Sequence, residues 1–119
     1  MTITARYCAL AIFGLVSLSA RAADNNYNSA NEFLPGCQEL IAHQLTFASG
    51  RCVGVIHGLA VLGQMSGLLC PPDGVTREQY VRIVVKFIES QPETMHEDFD
   101  VLALVALRRA FACKKPTPN

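Results

Sequence analysis

Five cysteines in a chain of 119 residues constrain its fold more than any other feature, and the number that matters depends on the N-terminus. There Arg6 precedes an apolar run from Cys8 to Ala20, and Ala20-Arg21-Ala22 supplies the small-x-small pattern read by signal peptidase. The run is about 13 residues long, short of the roughly 20 that a bilayer span needs, and polar Asp24-Asn25-Asn26 follows with no stop-transfer pattern. Residues 1–22 therefore read as a cleaved export signal and residues 23–119 as one mature domain. Cys8 leaves with the signal. Cys37, Cys52, Cys70 and Cys113 remain, an even set suited to an oxidising compartment.

The four cysteines do not read as a metal site. No pair has the two-residue spacing of a zinc knuckle, and His43, His57 and His96 are scattered, so neither metal nor cofactor is expected. Loss of Arg6 and Arg21 leaves eight basic against ten acidic residues, a formal charge of −2. That balance argues against nucleic acid or an anionic membrane surface as a partner. A mature chain of 97 residues can bury a core, though a thin one that bridges would reinforce.

The polar, Asn-rich stretch 23–31 suits a flexible lead-in, with order beginning near Asn31. A short helix is predicted around Pro35 to His43, ending before a break at Ala48-Ser49-Gly50. Cys52 to Leu69 is the most apolar mature segment and reads as a buried central helix. Its Gly50, Gly54 and Gly58, four apart, line one side where another backbone could approach closely. Arg51, His57, Gln64 and the glycines argue against a membrane span there. His57 and Gln64 share a side that is either wet or a partner face.

Cys70-Pro71-Pro72-Asp73-Gly74 breaks the chain, because proline cannot continue a helix and Asp-Gly favours a turn. Thr76 and Gln79 then form a capping box, with Val75 and Tyr80 as a staple, and open a helix from Arg77 to about Ser90. The β-branched Val81, Ile83 and Val85 make a buried strand the rival; the capping box and the length favour helix. Pro92 ends it. A last helix starts near Asp98, acidic in its first turn and basic at Arg108-Arg109, as the helix dipole prefers. Phe99, Leu102, Ala103, Ala106 and Ala110 form its apolar stripe, and the tail from Lys114 to Asn119 is expected to be loose. The pattern predicts an all-α fold, a compact bundle of about four helices.

Four cysteines permit three connectivities. If the last two long helices form an antiparallel hairpin around residues 91–97, the start of one lies beside the end of the other. Cys70 is then near Cys113, which leaves Cys37 with Cys52. With all four engaged, no thiolate is left for nucleophilic catalysis. His96, Glu97, Asp98 and Asp100 form the one dense titratable cluster. They read either as a general acid/base group or as a solvated helix start that attracts carboxylates electrostatically. No phosphate loop or nucleophile elbow is present, so the chain reads as a binding protein and not an enzyme.

The succession Leu34-Pro35-Gly36-Cys37, Cys52-Val53-Gly54-Val55-Ile56-His57-Gly58, Cys70-Pro71-Pro72-Asp73-Gly74-Val75-Thr76, the helix from Val81 to Ile88, Pro92 and the run from Ala103 to Cys113 resembles the Rap/Tai family of immunity proteins. The resemblance spans about residues 31–113. It implies a small helical periplasmic protein that binds and occludes a peptidoglycan amidase effector of type VI secretion, without chemistry of its own. It further implies a homodimer and a loop between the last two helices that enters the amidase cleft. Here that loop is Gln91 to Asp98, with Gln91, Glu93, His96, Glu97 and Asp98 as contact residues. The alternative is a small periplasmic chaperone or stress protein with no amidase partner.

Overall fold

The structure, a computed structural model, describes residues 26–115. The expected export signal and residues 116–119 lie outside the described residues. Four helices follow one another: α1 (Ala30–Ile41), α2 (Phe47–Met65), α3 (Arg77–Glu89) and α4 (Phe99–Ala110), with a 3₁₀ turn at Pro92–Thr94 between the last two. The all-α bundle is therefore as expected. Among the described residues no helix is long and apolar enough to cross a membrane.

The two bridges pair as the helical hairpin requires, Cys37 with Cys52 and Cys70 with Cys113. In the chain-entropy model, closing loops of these lengths stabilises the fold by roughly 3 and 4 kcal/mol, comparable with the net stability of a small domain. The core between them holds Ile56 from α2, Val81, Val84 and Ile88 from α3, and Phe99 and Leu107 from α4, none of them solvent-accessible. Burying side chains of this size stabilises by about 1.5–3 kcal/mol each. α3 starts on the predicted capping box: the Thr76 hydroxyl accepts from the Gln79 amide, and the Gln79 side chain accepts from the Thr76 amide.

Three expectations fail, each for a physical reason. α1 begins at Ala30 and contains Pro35, so residues 26–31 are not a free lead-in. Its first amides find carbonyl partners far along the chain, Ala30 on Glu97 (3.0 Å) and Asn31 on Met95 (2.9 Å), a capping arrangement with no local signature. Ala48-Ser49-Gly50 is no break but the first turn of α2. Thr46 accepts from the Ser49 amide and the Ser49 hydroxyl accepts from the Thr46 amide, a second capping box in which serine takes the place usual for Glu or Gln. α1 ends just before it in a Schellman motif, with His43 at φ 60° and the Gln44 amide on the Glu39 carbonyl.

The third failure concerns the glycines. A Cβ on Gly50, Gly54 or Gly58 would meet nothing within 4 Å, because this side of α2 faces outward. The close helix approach lies elsewhere. A Cβ on Gly36 of α1 would stand 2.5 Å from the Ala48 carbonyl oxygen, and one on Gly63 would stand 2.5 Å from Leu69 Cδ1. α2 is therefore not enclosed all round. It buries Cys52, Ile56, Ala60 and Gly63 and leaves Phe47, Val61, Leu62 and Met65 exposed. On α4, Ala110 is likewise exposed and Leu107 takes its place in the buried stripe.

Candidate functional site

The α3–α4 connection turns the chain within nine residues and is held by its own backbone. The Thr94 amide and hydroxyl both donate to the Gln91 carbonyl (3.0 Å each), and the Glu97 amide donates to Thr94 (2.9 Å). The N-terminal segment holds its far side. Besides the two α1 amides, the Phe99 amide donates to the Asn28 carbonyl (2.7 Å), and Ser29 and Asp98 form an isolated antiparallel bridge. Asn26 Nδ2 donates to Asp98 Oδ1 (2.8 Å) and Asn28 Nδ2 to Asp100 Oδ1 (2.9 Å).

A stacked column fixes the end of the loop. The Phe33 and Phe99 rings lie 4.3 Å apart and 5° from parallel, and the Arg51 guanidinium sits over the other face of Phe33 at 3.9 Å. Arg51 also donates to the Tyr27 carbonyl at 2.7 Å. α1, α4 and the N-terminal segment thus meet at one loop, with Arg51 of α2 stacked on the far side of Phe33.

Of the residues singled out from the sequence, Glu93, His96, Glu97 and Asp98 are exposed and Gln91 is half-buried. Their backbone is brought together; their side chains are not joined. Among the described residues, no hydrogen bond or ion pair links His96 to Glu97, Asp98 or Asp100. The one salt bridge among the described residues is Glu78 with Arg82, at 2.7 Å. Asp98 stands at the N-cap of α4 without capping it, since its carboxylate accepts from Asn26 instead. What the loop offers chemically is a set of outward acceptors on a fixed backbone. Among the described residues, no cluster of three His, Cys, Asp or Glu side chains could hold a metal ion.

The sequence reading missed the outer face of α2. Phe47, Gly50, Gly54, Gly58, Val61 and Met65 recur at intervals of three and four, so they share one side of the helix, with Leu62 beside them. Leu45 and Phe47, at its start, are 90% and 89% exposed, and Met65, at its end, is 80% exposed. An exposed apolar strip of this kind marks an interaction surface more often than a bare one. The sequence signal was present in the glycine spacing; what was wrong was the direction assigned to it.

Compared with known protein families, the chain matches the model of the Rap1a immunity proteins over residues 29–113. No curated protein and no solved structure matches it.

Proposed function

Since this chain belongs to the family of Rap1a immunity proteins, we propose that it binds and occludes a peptidoglycan amidase effector of type VI secretion, in the periplasm of the cell that makes it. Family membership makes it an immunity protein against a secreted effector, a kind of protein that is generally non-catalytic. The amidase, the secretion route and the periplasm are our reading. Residues 1–22 act in it as the export signal and residues 23–119 as the immunity domain, and the two disulfides support folding in an oxidising compartment.

The observation that carries the reading is the α3–α4 loop. Its backbone is hydrogen-bonded both internally and to the α1 N-terminus, so little ordering entropy remains to be lost on binding. From that backbone Glu93, His96, Glu97 and Asp98 project into solvent. An acidic, acceptor-rich loop complements a cleft whose catalytic Cys/His pair supplies donors and positive charge. Gln91 lies at its base. We assign self-association to the outer face of α2, where two copies could bring bare glycine backbone together between Phe47 at one end and Met65 at the other.

The test uses mature protein, residues 23–119, and Cys/His amidases encoded beside it. A complex that forms and blocks peptidoglycan hydrolysis is expected. A purified pair that neither associates nor loses hydrolysis contradicts the proposal. The exposed Leu45, Phe47 and Met65 also favour the second reading, a chaperone that offers apolar surface to unfolded clients. Suppression of client aggregation at about pH 3, with no amidase bound, would favour it instead. Its weakness is the shortage of acid sensors, with three histidines in the chain.

A further inference from the structure

The two bridges differ in what can reach them. Cys37 and Cys52 are completely buried, at the contact where Gly36 of α1 meets the backbone of α2. Cys70 is exposed and Cys113 half-buried. Both lie in irregular backbone, Cys70 before Pro71 and Pro72 and Cys113 beyond the end of α4. Cys113 lines a surface cavity of about 470 Å³ together with Gly67, Leu68, Val105, Arg108 and Arg109. The Arg109 guanidinium lies 5.0 Å from the centre of the Phe87 ring, whereas Arg108 enters no ion pair among the described residues.

We propose that Cys70–Cys113 is a site of thiol–disulfide exchange with a dithiol protein, and that Cys37–Cys52 is closed to such exchange in the folded domain. The dithiol's thiolate attacks the sulfur of Cys70, the more exposed residue of the pair, forming a mixed disulfide as the Cys70–Cys113 bond breaks and Cys113 leaves as a thiolate. Arg108, in the cavity that Cys113 lines, stabilises that leaving charge. The dithiol's second thiol then attacks its own sulfur in the mixed disulfide. Cys70 is released as a thiol and the partner becomes a disulfide. Two electrons pass from the dithiol to the bridge, and the dithiol's two protons end on Cys70 and Cys113. Run backwards, the same steps install the bridge. The backbone bond from the Cys70 amide to the Phe111 carbonyl, at 2.9 Å, is a second tie between the two segments that holds the sulfurs close for reclosure.

The proposal does not rest on the effector reading, and its test needs no effector. Folded mature protein is treated with dithiothreitol at neutral pH, quenched with iodoacetamide at intervals, and peptide-mapped. Alkylation of Cys70 and Cys113 at least tenfold faster than that of Cys37 and Cys52 is expected; equal rates, or Cys37 and Cys52 first, would overturn the proposal. A thioredoxin-fold protein whose resolving cysteine is replaced by serine should be trapped on Cys70, and a trap on Cys113 or on the buried pair contradicts the assignment. Arg108→Glu should slow exchange several-fold at unchanged melting temperature. An unchanged rate removes Arg108 from the mechanism.

Discussion

The α3–α4 loop and the outer face of α2 are both exposed, yet they are built in opposite ways. The loop is polar and irregular, and its shape comes from hydrogen bonds to residues 26–31 and from the Arg51–Phe33–Phe99 column. The α2 face is apolar and regular, shaped by helix periodicity alone, with glycines that touch nothing. The loop suits a partner that supplies donors and positive charge; the face suits a flat apolar surface such as its own copy. The two surfaces differ in chemistry and in what gives them their shape, although Arg51 of the column itself belongs to α2.

Both surfaces rest on the α1–α2 contact, and breaking it should spoil them together. Gly36→Ala drives a methyl into the Ala48 carbonyl, which cannot move without shifting α2. A loss of about 3 kcal/mol is expected, a fall of roughly 12–24 °C in Tm by calorimetry. The next effect separates the surfaces. Leu62→Glu with Met65→Glu places two charges on the apolar face and should weaken self-association at least tenfold in sedimentation, about 1.4 kcal/mol, while effector binding persists. Unchanged sedimentation would show that the face is not a self-interface.

A smaller change sharpens the same point. Gly54→Ala adds a methyl where nothing in the same copy stands within 4 Å; in protein too dilute to self-associate it should stabilise the folded chain by about 0.5–1 kcal/mol, read as a higher denaturant midpoint, while weakening self-association. Destabilisation of the dilute chain would mean that the face is covered within one copy. The smallest effect belongs to neither surface. The Arg82 guanidinium, hydrogen-bonded to the Glu78 carboxylate, lowers the pKa of Glu78 below its ordinary 4.5. A depressed folded-state value gives stability above the unfolded pKa and loses it as pH falls through the folded one. Glu78→Gln should therefore melt slightly below the parent at neutral pH and coincide with it in strong acid. Because the pair is exposed, salt should shrink the difference.

How much of this could be read from the sequence depended on whether the cause was local. The capping box of Thr76 and Gln79, the Pro-Pro break and the hairpin that pairs Cys70 with Cys113 are each written within a few residues or follow from a short turn. The start of α1 is not, because the carbonyls that cap it belong to Met95 and Glu97. The start of α2 was hidden by chemistry: Ser49 reads as a helix breaker until Thr46 is seen as its partner. For α2 the period was correct but the inward side was not, since a helix apolar all round carries no sign of which face is buried. The inward glycines, Gly36 and Gly63, lie off that period. The loop was found by its place between two helices, whereas the hydrogen bonds that tie its backbone to residues 26–31 join positions more than sixty residues apart.

In the proposed complex the exposed side chains of this loop carry the effector contact. The direct measurement is the dissociation constant of mature protein for the proposed amidase partner, parent against a Glu93→Lys, Glu97→Lys, His96→Ala variant that spares Asp98 and its bond from Asn26. Binding at least a hundredfold weaker, about 2.7 kcal/mol, is expected, with melting temperature and self-association unchanged. Equal affinity for the two proteins, or a loss confined to the α2-face variant, would contradict it.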